Sequence, residues 1–193
     1  MTCIVGLITE SQLIFGADSL VTTDSDAKFT LSDKKIFKKG KFLFGFCGSL
    51  RYGQLIKHKY PMPTYSPTRD IESYVHRVFL PDLHSFLAAH TYQKLECPLF
   101  EFLVGIGDRI FIVSDDFSVV STPSPYQAIG SGSQYALGAL FASQDNTNHV
   151  ERLTVALQAA SKYSQSVAEP FYFQSLSRSV ETEAIKPTKK RHR

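Results

Sequence analysis

A chain of 193 residues is long enough for one well-buried core and too short for two ordinary domains with separate cores. Its 43% hydrophobic and 20% charged residues exclude a collagen-like chain or one disordered throughout. The net charge of +3 rests on residues 186–193, which hold Lys186, Lys189, Lys190, Arg191 and Arg193 and no acid; the remainder is slightly acidic, so nucleic acid is not the leading partner.

The chain opens with strand signals. Residues 3–8 and 12–17 are apolar runs around the polar turn Thr9-Glu10-Ser11-Gln12, the pattern of an antiparallel hairpin closing at Asp18. The first run is too short for a membrane span or a signal peptide, so the N-terminus reads as mature structure. Lys35–Lys38 and Lys41–Cys47 flank Lys39-Gly40 as a second hairpin. From Ser66 the period changes to a helical one, with Ile71, Tyr74, Val75, Val78, Phe79, Leu83, Phe86 and Leu87 on one face. Pro81 lies inside this helix and is expected to kink or divide it, having no N–H for the preceding turn.

Strands are expected again at 98–106, 109–114, 117–122 and 126–129, followed by helices at 133–144 and 149–163. The second of these starts at Asn148-His149-Val150-Glu151, a capping residue with an acid three positions on. Residues 170–174 offer a last strand, and the chain then turns polar toward its basic end. Two runs of strands, each followed by helices, point to an α+β fold with two antiparallel sheets between helical layers, α-β-β-α. One domain over residues 1–176 and a mobile tail over 177–193 are expected.

Three cysteines, Cys3, Cys47 and Cys97, are odd in number and widely spaced, which indicates neither a disulfide framework nor a zinc set and favours the reducing cytoplasm. His58, His76, His84, His90, His149 and His192 form no compact metal motif. Gly130-Ser131-Gly132 lacks the Lys-Ser/Thr ending of a phosphate loop, so ATP is not expected to bind. No cofactor and no metal are implied.

Thr2 follows the initiator methionine, and a small second residue lets that methionine be trimmed. Trimming exposes a threonine with both a hydroxyl and a free α-amine, whose reference pKa of about 7.7–8.0 leaves it partly neutral near pH 7 and able to take the hydroxyl proton. By itself Thr2 is equally the second residue of a strand.

Its surroundings add to this. Thr2-Cys3-Ile4-Val5-Gly6, the hairpin ending Phe15-Gly16-Ala17-Asp18-Ser19, then Lys34-Lys35-Ile36 and Leu43-Phe44-Gly45-Phe46-Cys47-Gly48-Ser49 resemble the proteasome β-subunit and HslV group of N-terminal-nucleophile hydrolases. Gly130-Ser131-Gly132-Ser133 resembles that group's second block, where a helix starts. The resemblance runs from Thr2 to Gln174. It implies Thr2 as nucleophile, Asp18 and Lys35 as its acidic and basic supports, Gly48 as the oxyanion-hole amide and Ser131 as the hydroxyl near the amine. Lys34 and Lys35 face opposite sides if the segment is extended, and the resemblance implies Lys35, because the group's lysine directly precedes a β-branched residue as Lys35 precedes Ile36. Lys34 is expected to face elsewhere.

One departure concerns the segment after the last long helix. The family often carries an acid before a serine there, whereas Lys162-Tyr163-Ser164-Gln165-Ser166 has no carboxylate. Ser166 matches the serine, and Tyr163 or Ser164 stands in the acid's place.

The resemblance implies a threonine-type endopeptidase acting on peptides or unfolded proteins inside a homo-oligomeric ring, with a separate ATP-driven unfoldase as a possible partner. Phe46 and Leu50, beside the expected cleft, favour an apolar substrate side chain. Two other readings keep the same fold: hydrolysis of a small amide, and a catalytically silent ring or scaffold subunit.

Overall fold

The computed structural model describes residues 2–22, 27–66, 70–90 and 99–178. Eleven strands fall within them: β1 (Ile4–Ile8), β2 (Gln12–Ala17), β3 (Leu20–Thr22), β4 (Lys28–Thr30), β5 (Ile36–Lys39), β6 (Phe42–Gly48), β7 (Phe100–Ile106), β8 (Arg109–Ser114), β9 (Val119–Ser121), β10 (Tyr126–Ile129) and β11 (Tyr172–Ser177). The helices are α1 (Leu50–His58), α2 (Ile71–Tyr74), a π-helical turn at Val75–Phe79 that runs into α3 (Leu80–His90), α4 (Ser133–Ala142) and α5 (His149–Tyr163). One sheet has the order β10-β1-β2-β11, the other β5-β6-β7-β8-β9, and every pairing is antiparallel.

Strand alternation sorts the core into three apolar strata. Ile4, Leu13, Phe15 and Ala17 of the first sheet meet Ile36, Leu43, Cys47 and Leu103 of the second. The intervening residues Val5, Leu7 and Ile14 turn outward onto Leu140, Leu153 and Leu157 of α4 and α5. On the far side Phe42, Phe44, Phe46 and Phe102 pack against Tyr52, Phe79 and Leu83 of the other helices. Each such fully buried aromatic or aliphatic side chain is worth about 1.5–3 kcal/mol. The result is the α-β-β-α layering that the strand and helix order implied, because both faces of each sheet are apolar and neither can meet water.

Several expectations are corrected. The helix begins at Ile71, capped by Asp70, whose carboxylate accepts from Ser73 N at 2.7 Å. The missing N–H of Pro81 is absorbed by the π turn immediately before α3, so the disruption precedes the proline. Helix α1 and the short hairpin β3–β4 lie where no element was expected. The last strand runs two residues later than expected at its start and ends at Ser177, because residues 172–177 pair along the whole of β2. Arg178 follows it and donates from its N–H to Ser11 O at 2.8 Å. The rest of the basic tail, Cys97 and His192 lie outside the described residues.

Candidate active site

The β1–β2 register sets the first contact. Ile4 pairs with Ala17, so Asp18 falls beside Cys3 and its N–H reaches Cys3 O at 3.2 Å. The Asp18 carboxylate turns inward, where Oδ1 accepts from Cys3 N and Oδ2 from Leu20 N, each at 3.0 Å. Lys35 sits at the entrance to β5, fixed by the bond from Phe46 N to Lys35 O at 3.1 Å.

The Lys35 ammonium uses its donors on three oxygens: Thr2 Oγ1 and Asp18 Oδ1 at 2.9 Å each, and Leu20 O at 2.6 Å. All three residues are buried, with Asp18 at 0%, Lys35 at 2% and Thr2 at 4% exposure. Burial pushes the Lys35 pKa below the ordinary lysine range, and the charge and hydrogen bond of Asp18 oppose that shift. The cation is therefore held beside the Thr2 hydroxyl by a carboxylate that is itself held by two backbone N–H groups. Lys34 is exposed and turns its ammonium over the Tyr172 ring, 4.9 Å from the centroid.

Gly48 ends β6 in the left-handed region at φ +79°, and an added Cβ there would lie 2.2 Å from Leu99 O. Only glycine fits. Phe46 N donates toward the β5 side and Ser49 N donates to Leu99 O at 3.2 Å on the β7 side, so strand alternation aims the Gly48 N–H past the beginning of β5. There a cavity of about 250 Å³ opens, lined by Thr2, Lys35 and Gly48 with Val21, Phe46 and Leu50. A backbone donor and a hydroxyl thus face the same small space, which is what acyl transfer needs.

Ser131 lies on the other side of Thr2. Its Oγ accepts from Thr2 N at 3.3 Å and donates to Thr2 O at 3.4 Å. Gly130 makes this approach possible, since at φ +87° an added Cβ would come within 2.3 Å of Thr2 O. Ser131 does not cap α4, whose N-cap is Gly132. Its hydroxyl is instead linked to Ser166 Oγ at 3.0 Å, and Ser166 to Ser164 Oγ at 3.0 Å. Ser164 thus extends the hydroxyl chain, while Tyr163 is 69% exposed and packs on Tyr135.

Competing nucleophiles are disfavoured. Burial, aided by the Asp18 charge, pushes the Cys3 thiol up to about 12; burial and Glu101 push Cys47 up to about 12. Both stay protonated near neutral pH and are poor nucleophiles. Among the described residues no group of three or more His, Cys, Asp or Glu could hold a metal ion, and no helix is long and apolar enough to cross a membrane.

Sequence reasoning missed Glu101. Its Oε2 accepts from Gly130 N at 3.2 Å and from Cys47 Sγ at 3.4 Å. The available signal was a lone acid in the otherwise apolar strand Phe100–Ile106.

No protein-family model and no curated protein matches the chain. Solved structures do. Thiobacillus denitrificans BPH in complex with epoxomicin is 22% identical with a TM-score of 0.76, over 92% of this chain and 99% of that one. HslV from Trypanosoma brucei is 17% identical at TM-score 0.66, over 91% and 99%. Anbu, an ancestral beta-subunit from Yersinia bercovieri, is 14% identical at TM-score 0.66, over 91% and 81%. The chain has the proteasome-like N-terminal-nucleophile fold. In that fold Thr2, Asp18, Lys35, Gly48 and Ser131 converge at one end of the facing sheets, as the distances above record.

Proposed function

We propose that this chain is a threonine-type peptidase whose nucleophile is Thr2 after removal of Met1, working inside a homo-oligomer. The observation that carries the reading is the Lys35 ammonium 2.9 Å from both Thr2 Oγ1 and Asp18 Oδ1 in a cavity shared with Gly48. With Met1 present the Thr2 nitrogen is an amide and cannot act as a base. Once it is a free amine, it takes the Oγ1 proton as the oxygen attacks the substrate acyl carbon. The Lys35 cation favours the developing alkoxide. The negative oxygen of the tetrahedral intermediate meets the Gly48 N–H, a donor worth about 3–4 kcal/mol in such sites. The protonated amine then gives its proton to the leaving nitrogen, and the bond breaks to leave an ester on Thr2. Water, deprotonated by the same amine, attacks the ester and releases the acid.

Val21, Phe46 and Leu50 line the cavity and favour an apolar side chain on the acyl part of the substrate. A nucleophile of this kind, open to any protein that could reach its cavity, would be hazardous, which supports its enclosure in an oligomer with a separate unfoldase as a possible partner. Intact mass of the purified protein, before and after a peptide epoxyketone, tests the reading. The expected result is loss of Met1 and a single adduct on Thr2. Retention of Met1, or no adduct, would overturn it, and faster turnover of small amides than of peptides would change the substrate class.

A further inference from the structure

Resting on the peptidase reading, we infer that Glu101 is a positioning residue: its carboxylate ties the oxyanion strand and the Ser131 turn to one another on either side of Thr2. Each of those segments carries a glycine in the left-handed region that no larger residue could replace. Gly48 follows Cys47, Gly130 precedes Ser131, and each of the two glycines has positive φ. Nothing in either segment's own ladder fixes its spacing from the other. Glu101 is paired across the ladder with Cys47 and reaches over with one oxygen to the Gly130 N–H at 3.2 Å while accepting the Cys47 thiol at 3.4 Å. The buried thiol keeps its proton and so remains a donor to that oxygen.

The hydroxyl chain from Ser131 through Ser166 to Ser164 contains no charge. The carboxylate missing from that side is supplied instead from β7, and it acts on the Gly130 amide, not on a hydroxyl. A carboxylate oxygen is a strong acceptor for a backbone N–H, which suits a group that must hold a peptide plane. Glu101 also lines a second cavity of about 340 Å³ with Gly48, Ser114 and Asp115, so direct substrate contact is the competing role that the test must separate.

The experiment follows acylation of Thr2 by a peptide β-lactone, by intact mass against time, in wild type, Glu101→Gln, Glu101→Asp and Glu101→Ala, with thermal melting and amide hydrogen exchange on the same samples. Glu101→Ala is expected to slow the maximal acylation rate about 10- to 100-fold, the scale of a misplaced reacting group, with the binding constant unchanged. Glu101→Gln keeps an oxygen acceptor and is expected to recover most of the rate, whereas Glu101→Asp, one methylene short, is expected to behave like Ala. This pair also decides the matter if Ala fails to fold. Exchange at Gly130 is expected to speed up in Asp and Ala and not in Gln. Equal rates in all four proteins, or a loss confined to the binding constant, would overturn the assignment, the latter in favour of substrate contact. A wild type that is not acylated would sink the peptidase reading, and the exchange pattern alone would then decide whether Glu101 holds the turn.

Discussion

Among the described residues two lysine–aspartate pairs lie in opposite settings. Lys35 and Asp18 are 2% and 0% exposed, whereas Lys57 and Asp33 are 20% and 35% exposed, and His58 joins the second pair at 3.4 Å. At the outer pair burial is the largest single influence and pushes the Asp33 pKa up, but the hydrogen bonds and charges of Lys57 and His58 together outweigh it and hold the carboxyl below its usual range. Water screens such a pair, and pairs of this kind contribute about 0–1 kcal/mol. At the inner pair burial outweighs the attraction of Asp18 in setting the Lys35 pKa, and buried pairs in general are weak evidence for stability. What distinguishes it is the third partner, the hydroxyl of Thr2. The difference teaches that burial beside a hydroxyl, not charge pairing as such, gives the same two side chains a different setting.

The largest effect that would break this comparison is at Thr2. Thr2→Ala is expected to reduce peptide turnover below about a thousandth of wild type, because the attacking oxygen is removed, with a modest drop in melting temperature because Lys35 loses one of its three acceptors. Turnover within tenfold of wild type would refute the role.

Asp18→Asn comes next. It leaves the Lys35 cation buried without its counter-charge and is expected to cost about 3–5 kcal/mol by denaturant titration, with activity lost as well. Adding Lys35→Met to that variant removes the stranded charge and is expected to restore most of the stability but none of the activity. If the double variant regains activity, the pair is structural only.

The pH profile sharpens the contrast. In the proposed mechanism Lys35 must be charged to act, and its pKa lies below the ordinary lysine value because of burial. As pH rises through that lowered value the cation is lost, so kcat/KM is expected to fall at a lower pH than an ordinary lysine would give. A group that holds its proton less tightly folded than unfolded makes stability rise with pH between the two pKa values. Activity and the Lys35 contribution to stability should therefore move in opposite directions on the alkaline side. An alkaline limb that coincides with unfolding would count against Lys35.

The smallest effect belongs to the outer pair. Asp33→Asn is expected to cost at most about 1 kcal/mol at pH 7 and to leave kcat/KM unchanged. Because the folded Asp33 pKa is lowered, wild type should lose this small advantage as pH falls through that value, and the two proteins should converge in acid.

Much of the architecture was legible in the sequence because it rests on local pattern. The apolar runs at residues 3–8 and 12–17, the second hairpin, whose turn falls at Gly40-Lys41 one residue beyond the expected Lys39-Gly40, and the Asn148 cap, whose side chain accepts from Glu151 N at 3.2 Å, are decided by neighbours a few residues away. Helix α1 was not legible. Gly53 sits in its middle, a residue that weakens helices, and it is tolerated because a Cβ there would strike the Phe46 ring at 2.4 Å. Strands β3 and β4 are only three residues each, too short for a period to register.

The sequence by itself determined which residue types stand ready: a threonine behind the initiator methionine, one of two adjacent lysines, an aspartate closing a hairpin, and glycines at Gly48 and Gly130. Tertiary structure alone decided that Lys35 Nζ stops 2.9 Å from Thr2 Oγ1, that Ser164 and not Tyr163 continues the hydroxyl chain, and that Glu101 bridges Cys47 to Gly130. The physical reason is range. Backbone propensity and hydrophobic period act over a few residues, whereas these contacts join segments far apart in the chain, and only the packing of two sheets face to face fixes their distances.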